Sequence, residues 1–339
     1  MNRRPMRFLL PAACLFLAAA AVTAMASGSA GIPLKRIFMI ILEGKGTPEY
    51  GILMDIRLPR VVLGFAVGGA LSLAGVMLQG MFRNPLVEPY TLGISGGGAL
   101  GAALCIVFKL HYLLPMTALP ASGFLGSCLV VVPLYFLNMR QNVLRMQGIL
   151  LTGVMTSFIS SSLVFLILAI SKTDELHGIV FWIMGSLEEP SWMLILIVAA
   201  IALVCLLLSY FFAPVLNALS LGEEEAVHLG IDTERTKKQL FLMASLLTGI
   251  SVSLTGIIGF VGLIVPHFVR MMTGYDHRRL FIISFLTGAG FLIFCDTLAR
   301  TALPPLELPV GVITGILGGS VFIYVLTRRH MSGRSGGSL

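Results

Sequence analysis

A run of carboxylates inside an apolar pattern is the first place where residue type and spacing suggest a defined activity. Residues 219–231 read LSLGEEEAVHLGI, with Glu223, Glu224 and Glu225 at the start and Gly230 after the last apolar positions. An acidic first turn and a closing glycine are start and stop signals of a helix. The segment therefore predicts a short amphipathic helix capped by Gly230. An ordinary solvated surface helix is the plain alternative for such a charge run.

A second pattern suggests nucleophilic catalysis. Gly93-Ile94-Ser95-Gly96 matches the GxSG motif of intramembrane serine proteases, and His267 is the candidate base. Such catalysis needs the two side chains within hydrogen-bond reach of each other. Because four residues match easily in a chain with 37 glycines, a protease using Ser95 and His267 stays a minor alternative, and no catalytic residue is assigned.

The composition shows which elements must position these residues. Of the 339 residues, 57% are hydrophobic and only 12% are charged, whereas soluble domains carry roughly 25% charged residues. The chain is therefore expected to be an all-α membrane protein. The basic residues behind the net charge of +7 lie in short stretches between apolar runs and not in one stripe. Orientation in a membrane by the positive-inside rule explains this distribution more simply than nucleic-acid binding, although Arg57, Arg60 and Arg300 depart from the rule, so we expect membrane lipid around the chain and no nucleic-acid partner.

The sequence contains no pattern typical of a metal site, a redox-active cysteine pair or a nucleotide-binding loop. The five cysteines form no CxxC pair and have no interleaved histidine, so we expect packing roles and no metal site. No stretch matches the GxxxxGK(S/T) loop that binds ATP phosphates. No acidic residue lies deep in an apolar run, where ion-coupled carriers usually have one. We therefore expect no cofactor on this chain and an external energy source, with an ion-coupled secondary transporter as the alternative.

Nine stretches carry almost no charge and predict membrane-spanning helices: residues 8–34, 61–82, 90–108, 110–139, 146–171, 191–221, 240–269, 280–295 and 308–327. Residues 240–269 would extend about 45 Å as one helix, against a hydrocarbon core of roughly 30 Å. The second half of this stretch contains the helix breakers Gly256, Gly259, Gly262 and Pro266. We predict a span that ends near Ile258 and a short helix that runs through Met272, which gives ten spans.

Basic residues precede the first span and follow the last, so we predict that both termini are cytoplasmic: Arg3, Arg4, Arg7, Arg328, Arg329 and Arg334. The chain is interpreted as one transmembrane domain over residues 1–339, with a first span at about residues 8–30 and a flexible tail at 328–339. A cleaved signal peptide is the alternative for the N-terminus, since Ala24-Met25-Ala26 resembles a cleavage site. The apolar run at 8–34 is too long for that pattern, which favours a retained span.

A short internal repeat relates the second and seventh spans. Residues 72–76 read SLAGV and residues 253–257 read SLTGI, with Gly68 and Gly249 at the same offset. In the ten-span topology these spans run in opposite directions, as an inverted transporter repeat requires.

Five motifs in a fixed order make the chain resemble one family of transport proteins. They are RLPR at 57–60, QGMFRNPLVEP at 79–89, LGISG at 92–96, GFVGLIVPH at 259–267 and ELPVG at 307–311. The sequence from Arg57 to Thr327 resembles the FecCD-type permeases of ABC importers for iron-siderophores, haem and cobalamin. The resemblance implies a type II importer fold in the cell inner membrane, with ten helices per subunit. It also implies a homodimer, two cytoplasmic ATPase subunits that bind ATP-Mg, and an external substrate-binding protein.

The resemblance also implies roles for particular residues. The segment at 219–231 is similar to the ATPase-coupling segment of the family, through Leu221, Gly222, Glu223, Glu224, Glu225, Ala226 and Gly230. Arg57, Arg60 and Arg300 match arginines that dock the binding protein, although snorkelling to the headgroups would also explain them.

A cytoplasmic gate is implied at Asn84, Pro85 and Leu86, where a plain turn is the alternative. Further gate positions near Met146 and Gln147 depart from the family, which has small hydroxyl residues there. The fifth helix would line the path with Thr152, Thr156 and Ser160, which share one helix face. Bonding to carbonyls of their own helix is the alternative role of these hydroxyls. Which chelate is carried does not follow from these motifs.

Overall fold

The described chain is helical, with short connections between the helices. The computed structural model describes residues 6–28, 31–44, 47–112, 116–138, 146–189 and 191–334. Its helices are α1 (Met6–Ala26), α2 (Leu34–Glu43), α3 (Pro48–Gly51), α4 (Leu58–Met81), α5 (Ile94–Val107), α6 (Ala118–Asn138), α7 (Met146–Ile170), α8 (Thr173–Met184), α9 (Trp192–Leu219), α10 (Glu223–His228), α11 (Thr233–Thr255), α12 (Val261–Thr273), α13 (His277–Thr301) and α14 (Val310–Arg334). Arg3, Arg4 and the side chains of Met146, Arg328, Arg329 and Arg334 lie outside what is described.

Seven of the described helices are long and apolar enough to cross a bilayer: α1, α4 with the turns that precede it, α6, α7, α9, α11 and α13. Three shorter apolar helices are α5, α12 and the first part of α14. The sequence-based expectation of an all-helical, multi-pass membrane protein is confirmed. Each predicted apolar stretch overlaps one of these helices, and the stretch 240–269 overlaps two, α11 and α12.

The predicted break in the stretch 240–269 is confirmed. Helix α11 ends at Thr255, and α12 begins at Val261 after a non-helical segment. Gly256 and Phe260 both have left-handed backbone, with φ of +68° and +69°, which a helix cannot continue through. Helix α12 is only about 20 Å long, so it begins inside the bundle.

Two side chains from the connection between α4 and α5 accept hydrogen bonds from backbone N–H groups in the non-helical segment between α11 and α12. The Phe260 N–H donates to the Glu88 carboxylate at 2.6 Å. The Ile258 N–H donates to the Tyr90 hydroxyl at 3.1 Å. Buried backbone donors need such partners wherever a helix is interrupted.

Helix α4 forms the centre of the bundle and is buried along most of its length. It packs against α13 through Gly68, whose missing side chain leaves room for the Gly288 carbonyl. It packs against α12 in the same way, where Gly75 faces the Gly262 carbonyl. Small residues permit this close approach of helix backbones.

Contacts at one end of the bundle fix the direction of α11 relative to α4. Arg60, near the start of α4, lies 3.6 Å from the Glu188 carboxylate. The Ser186 N–H, two residues before Glu188, donates to the carbonyl of Thr255 at the end of α11. The two helices of the sequence repeat therefore run in opposite directions. Helix α4 is about 36 Å long, and its start and finish define the two ends of the bundle described below.

Two amphipathic helices, α2 and α8, were not predicted from the sequence. Helix α2 packs Ile40 against Leu53, in a segment interpreted only as a charged connection. Helix α8 begins where Glu175 accepts from the Lys172 N–H at 3.2 Å. The acidic pair Asp174 and Glu175 followed by Gly185 is the signal that could have revealed α8. The tail expected to be flexible from residue 328 is helical through Arg334.

Candidate functional sites at the two ends of the bundle

The acidic segment forms the predicted helix at the end of the bundle where α4 finishes. Helix α10 spans Glu223–His228, and Gly230 has a φ of +78°. The Gly230 N–H donates to the Val227 carbonyl at 2.8 Å, and the Ile231 N–H to the Ala226 carbonyl at 3.2 Å. This left-handed closure confirms the predicted cap at Gly230.

Helix α10 is anchored on one side and exposed on the other. Ala226 is buried against the bundle. The ammonium group of Lys237, itself buried, contacts the Glu223 carboxylate and lies 3.4 Å from that of Glu234. The contact with Glu223 ties the segment to α11, and the contact with Glu234 holds the Lys237 side chain in place within α11.

Three apolar side chains of the same segment face outward. Leu221, Val227 and Leu229 are 70%, 55% and 66% exposed, although they flank acidic residues that a lipid interior would exclude. Exposed apolar side chains next to acidic residues are candidates for contact with another protein. We call Leu221, Val227 and Leu229 the coupling surface.

The predicted gate residues form a turn at the same end. The Asn84 side chain accepts from the Leu86 N–H at 2.9 Å, an Asx turn, and all three residues from Asn84 to Leu86 are exposed. Asn84 and Pro85 line a cavity of about 490 Å³, which we call the inner cavity. Asn84, Pro85 and Leu86 thus form a turn, as the alternative interpretation expected. Their role as a gate stays a prediction.

The inner cavity collects polar residues from three helices. Gln79 comes from α4, His267 and Arg270 from α12, and His277 from the start of α13. Sequence analysis missed Arg270 and His277. Arg270 follows His267 by three residues, on the same helix face, which is the signal that could have found it.

The three arginines expected to dock a binding protein lie together at the opposite end, and all three are buried. Arg60 pairs with Glu307 at 2.8 Å, and Arg300 pairs with Asp296 at 2.9 Å. Arg57 donates to the Met25 carbonyl at 2.6 Å. The guanidinium groups do not snorkel to water, because carboxylates and carbonyls of the chain itself hold them. Their docking role stays a prediction.

The charge exposed at this end is acidic. The carboxylates of Glu188 and Glu307 are exposed. The pKa of neighbouring Glu189 is raised because its carboxyl group is partly buried, and a bond from the Ser191 N–H opposes this effect. Arg60 and Arg300 still contribute to the wall of a cavity of about 260 Å³.

Replacing Arg300 with leucine is expected to lower the free energy of unfolding by about 3 kcal/mol or more, because Asp296 is left buried without its partner. Thermal unfolding of the detergent-solubilised protein measures this. The control is Arg279→Gln on the same helix: its contact with Asp276 at 3.5 Å is largely exposed, so the expected loss is about 0.5 kcal/mol or less. Equal losses in the two variants would contradict a structural role for the buried pair.

The hydroxyls expected to line the path bond mainly within α7. Thr152 donates to the Gly148 carbonyl and Thr156 to the Thr152 carbonyl, both at 2.7 Å. Ser160 is buried against Gly96 of α5. The intrahelical interpretation therefore describes both threonines in the single chain, and their place on a path stays a prediction.

The candidate protease pair is not brought together in the inner cavity. His267 lines that cavity, whereas Ser95 is not among its lining residues. The His267 ring instead meets the edge of Phe322, with ring centroids 5.9 Å apart. Among the described residues, no group of three or more His, Cys, Asp or Glu side chains is placed to hold a metal ion.

Comparison with known proteins covers nearly the whole chain. The profile of the FecCD transport family matches residues 15–328. The hemin transport system permease HmuU of Yersinia pestis is 38% identical over 90% of this chain and 92% of its own length. The cobalamin import permease BtuC of Halobacterium salinarum is 38% identical over 84% of this chain and 76% of its own. A solved structure described as a metal-chelate type ABC transporter in an inward-facing conformation covers 95% of this chain and 99% of its own, with a TM-score of 0.82 and 30% identity.

Proposed function

The chain belongs to the FecCD transport family, and on that basis we propose that it carries an iron chelate, haem or cobalamin across the inner membrane into the cytoplasm. As a member of that family it is the permease of an ABC importer and not an enzyme. Family membership decides against the ion-coupled carrier and against the protease built on Ser95 and His267. The relatives that transport hemin and cobalamin support the class of cargo.

ATP hydrolysis is expected in partner subunits that contact the coupling surface. Two cytoplasmic ATPases would hold ATP-Mg, and each would receive Leu221, Val227 and Leu229 in a cleft. The support is the exposure of these apolar side chains on a segment that Lys237 and Ala226 anchor firmly. An anchored helix can transmit a push from the ATPase to α9 and α11, which it joins.

A second copy of the chain completes the transport path in this proposal. The ten apolar helices would form one half of a type II homodimer, with α4 and α11 as members of an inverted repeat. Helix α14 offers a face for the second copy: a Cβ atom at Gly315 would have nothing within 4 Å, whereas Gly311 and Gly318 pack closely within the chain. Thr152 and Thr156 would line the path beside it.

The buried arginine cluster marks the outer end, where a substrate-binding protein would dock. Docking on Arg60 or Arg300 requires the incoming carboxylates to replace internal ones, as Glu307 would be replaced at Arg60. At Arg57 an incoming carboxylate would replace the Met25 carbonyl. Such an exchange trades one ion pair for another, so a docked complex can form and release again. With this orientation the coupling surface, both termini and the gate at Asn84–Leu86 face the cytoplasm.

The coupling surface is the observation that carries the proposal, and uptake into proteoliposomes tests it. We expect ATP-driven accumulation of labelled ferric-siderophore, haem or cobalamin when the permease is reconstituted with its ATPase and the matching binding protein. Omitting the ATPase should reduce accumulation to the level of empty liposomes. Accumulation that persists without the ATPase, driven by a proton or sodium gradient, would contradict the assignment.

A further inference from the structure

The inner cavity contains two arginines that the transport proposal leaves unused. Arg270 lies on α12, and its Nη2 is buried without a hydrogen-bond partner among the described residues. Arg83 is exposed at the cavity mouth, with no described ion pair. No Asp or Glu is among the lining residues. A guanidinium placed in this way favours an anion, since burial of an uncompensated charge is costly.

Two hydrogen-bond acceptors that have no partner among the described residues belong to side chains that line the same cavity. The Gln79 amide uses both N–H groups, donating to the carbonyls of Gly262 at 3.3 Å and Leu263 at 3.1 Å. Its carbonyl oxygen is left without a partner. Gln79 is only 2% exposed, so bulk water does not supply one.

His277 offers the second acceptor. Its Nδ1 lies 2.8 Å from Asn217 Oδ1, and the same oxygen accepts from the His277 backbone N–H at 2.9 Å. The Asn217 amide nitrogen in turn donates to Asp276 at 3.3 Å. Asn217 Oδ1 is thus an acceptor, so Nδ1 carries the proton, and Nε2 of the neutral ring is an acceptor. Nε2 is unpartnered, in a residue that is 1% exposed.

We propose that the inner cavity binds a small oxyanion that also carries a hydroxyl group, of the hydrogen-phosphate type. Its charged oxygens accept from Arg270 and Arg83, and its hydroxyl donates to Gln79 or His277. An anion with no hydroxyl would satisfy only the arginines and would place its charge against two acceptors. The volume of about 490 Å³ lies in the range of small-molecule sites.

Anion binding here does not depend on the identity of the cargo. The cavity is also lined by Ser220, directly before the coupling surface, and by the gate residue Asn84. A bound anion would therefore fix the spacing between the gate turn and the start of the coupling segment.

Calorimetric titration of the full-length permease in phosphatidylcholine nanodiscs tests the proposal, with inorganic phosphate as the probe. We expect saturable binding that Arg270→Gln weakens about tenfold or more, as loss of a charge-assisted hydrogen bond implies. Sulfate, which has no hydroxyl at neutral pH, is expected to bind more weakly than phosphate. The control Arg278→Gln changes an exposed arginine that is not among the cavity residues and should keep the parent affinity.

A second titration, in nanodiscs that contain phosphatidic acid, distinguishes a soluble anion from a lipid headgroup. An unchanged phosphate isotherm supports a soluble anion, whereas its loss in the parent protein supports a lipid-borne phosphate monoester in the same site. If Arg270→Gln does not accumulate, Arg83→Gln at the cavity mouth makes the same comparison. Absence of saturable phosphate binding, an isotherm that neither arginine variant changes, or sulfate binding as tight as phosphate overturns the proposal. Because no ATP or cargo is present, failure here leaves the transport assignment untouched.

Discussion

Val227→Asp and Leu221→Asp are each expected to lower ATP-driven uptake by a factor of roughly 30 or more, because each places a charge where we propose that an apolar side chain enters the ATPase. A central anchor of a protein interface contributes about 2 kcal/mol or more, which corresponds to that factor. Both side chains project from the fold, so the bundle itself loses no packing. Uptake into proteoliposomes that contain the permease and its ATPase is the measurement, with co-purification of the ATPase as a second readout.

Arg235→Gln is the matched control for this prediction. Arg235 is exposed in the first turn of the neighbouring helix α11, outside the coupling segment, and has no described ion pair. Removing its charge should leave uptake within about twofold of the parent, as expected for a peripheral charge. If Val227→Asp retains normal uptake and still binds the ATPase, the coupling surface is not where the two subunits meet.

Gly68→Ala is expected to lower the free energy of unfolding by at least about 3 kcal/mol and to reduce the yield of folded permease sharply. A Cβ atom at Gly68 would overlap the Gly288 carbonyl and approach Leu292 Cβ to 2.8 Å. Both obstacles belong to α13 close to its backbone, so no side-chain rotation relieves them. Membrane yield and the thermal unfolding midpoint in detergent measure the effect.

The internal repeat supplies the control, since Gly249 occupies the matching position in α11. A Cβ atom there would meet Ser127 Cβ at 3.4 Å and the Phe124 ring at 3.7 Å, which are ordinary contacts. Gly249→Ala should therefore be neutral, or stabilising by up to about 1 kcal/mol through helix propensity. Equal behaviour of the two alanine variants would show that the crossing of α4 and α13 tolerates separation.

Local signals in the sequence were sufficient for much of the fold. Glycines and Pro266 predicted the break after Thr255 because backbone chemistry acts over a few residues. Gly230 predicted the end of α10 for the same reason. Helix α2 was missed because its apolar run at residues 37–42 is too short to span a membrane and lies between Lys35–Arg36 and Glu43.

The burial and the hydrogen-bond partners of Arg57 and Arg60 could not be predicted, since those partners are distant in the sequence. Arg60 meets Glu307 from the connection before α14, and Arg57 meets the carbonyl of Met25 after α1 has crossed the bundle. The charge pattern indicated arginines at the outer end but not carboxylates turned inward to meet them. The inner cavity was hidden in the same way, because Gln79 and His277 become neighbours only when α4 packs against α13.

The two bonds that Glu88 and Tyr90 make to the interrupted backbone before α12 have a mechanical consequence. If α12 shifted alone, the N–H groups of Ile258 and Phe260 would lose their acceptors inside the bundle, at a cost of about 1–3 kcal/mol each. The stretch from Asn84 to Tyr90 is therefore held to the start of α12 by these two hydrogen bonds. We expect the two segments to move together. If the turn at Asn84 is the gate that we propose, we expect its movement to carry the start of α12 with it.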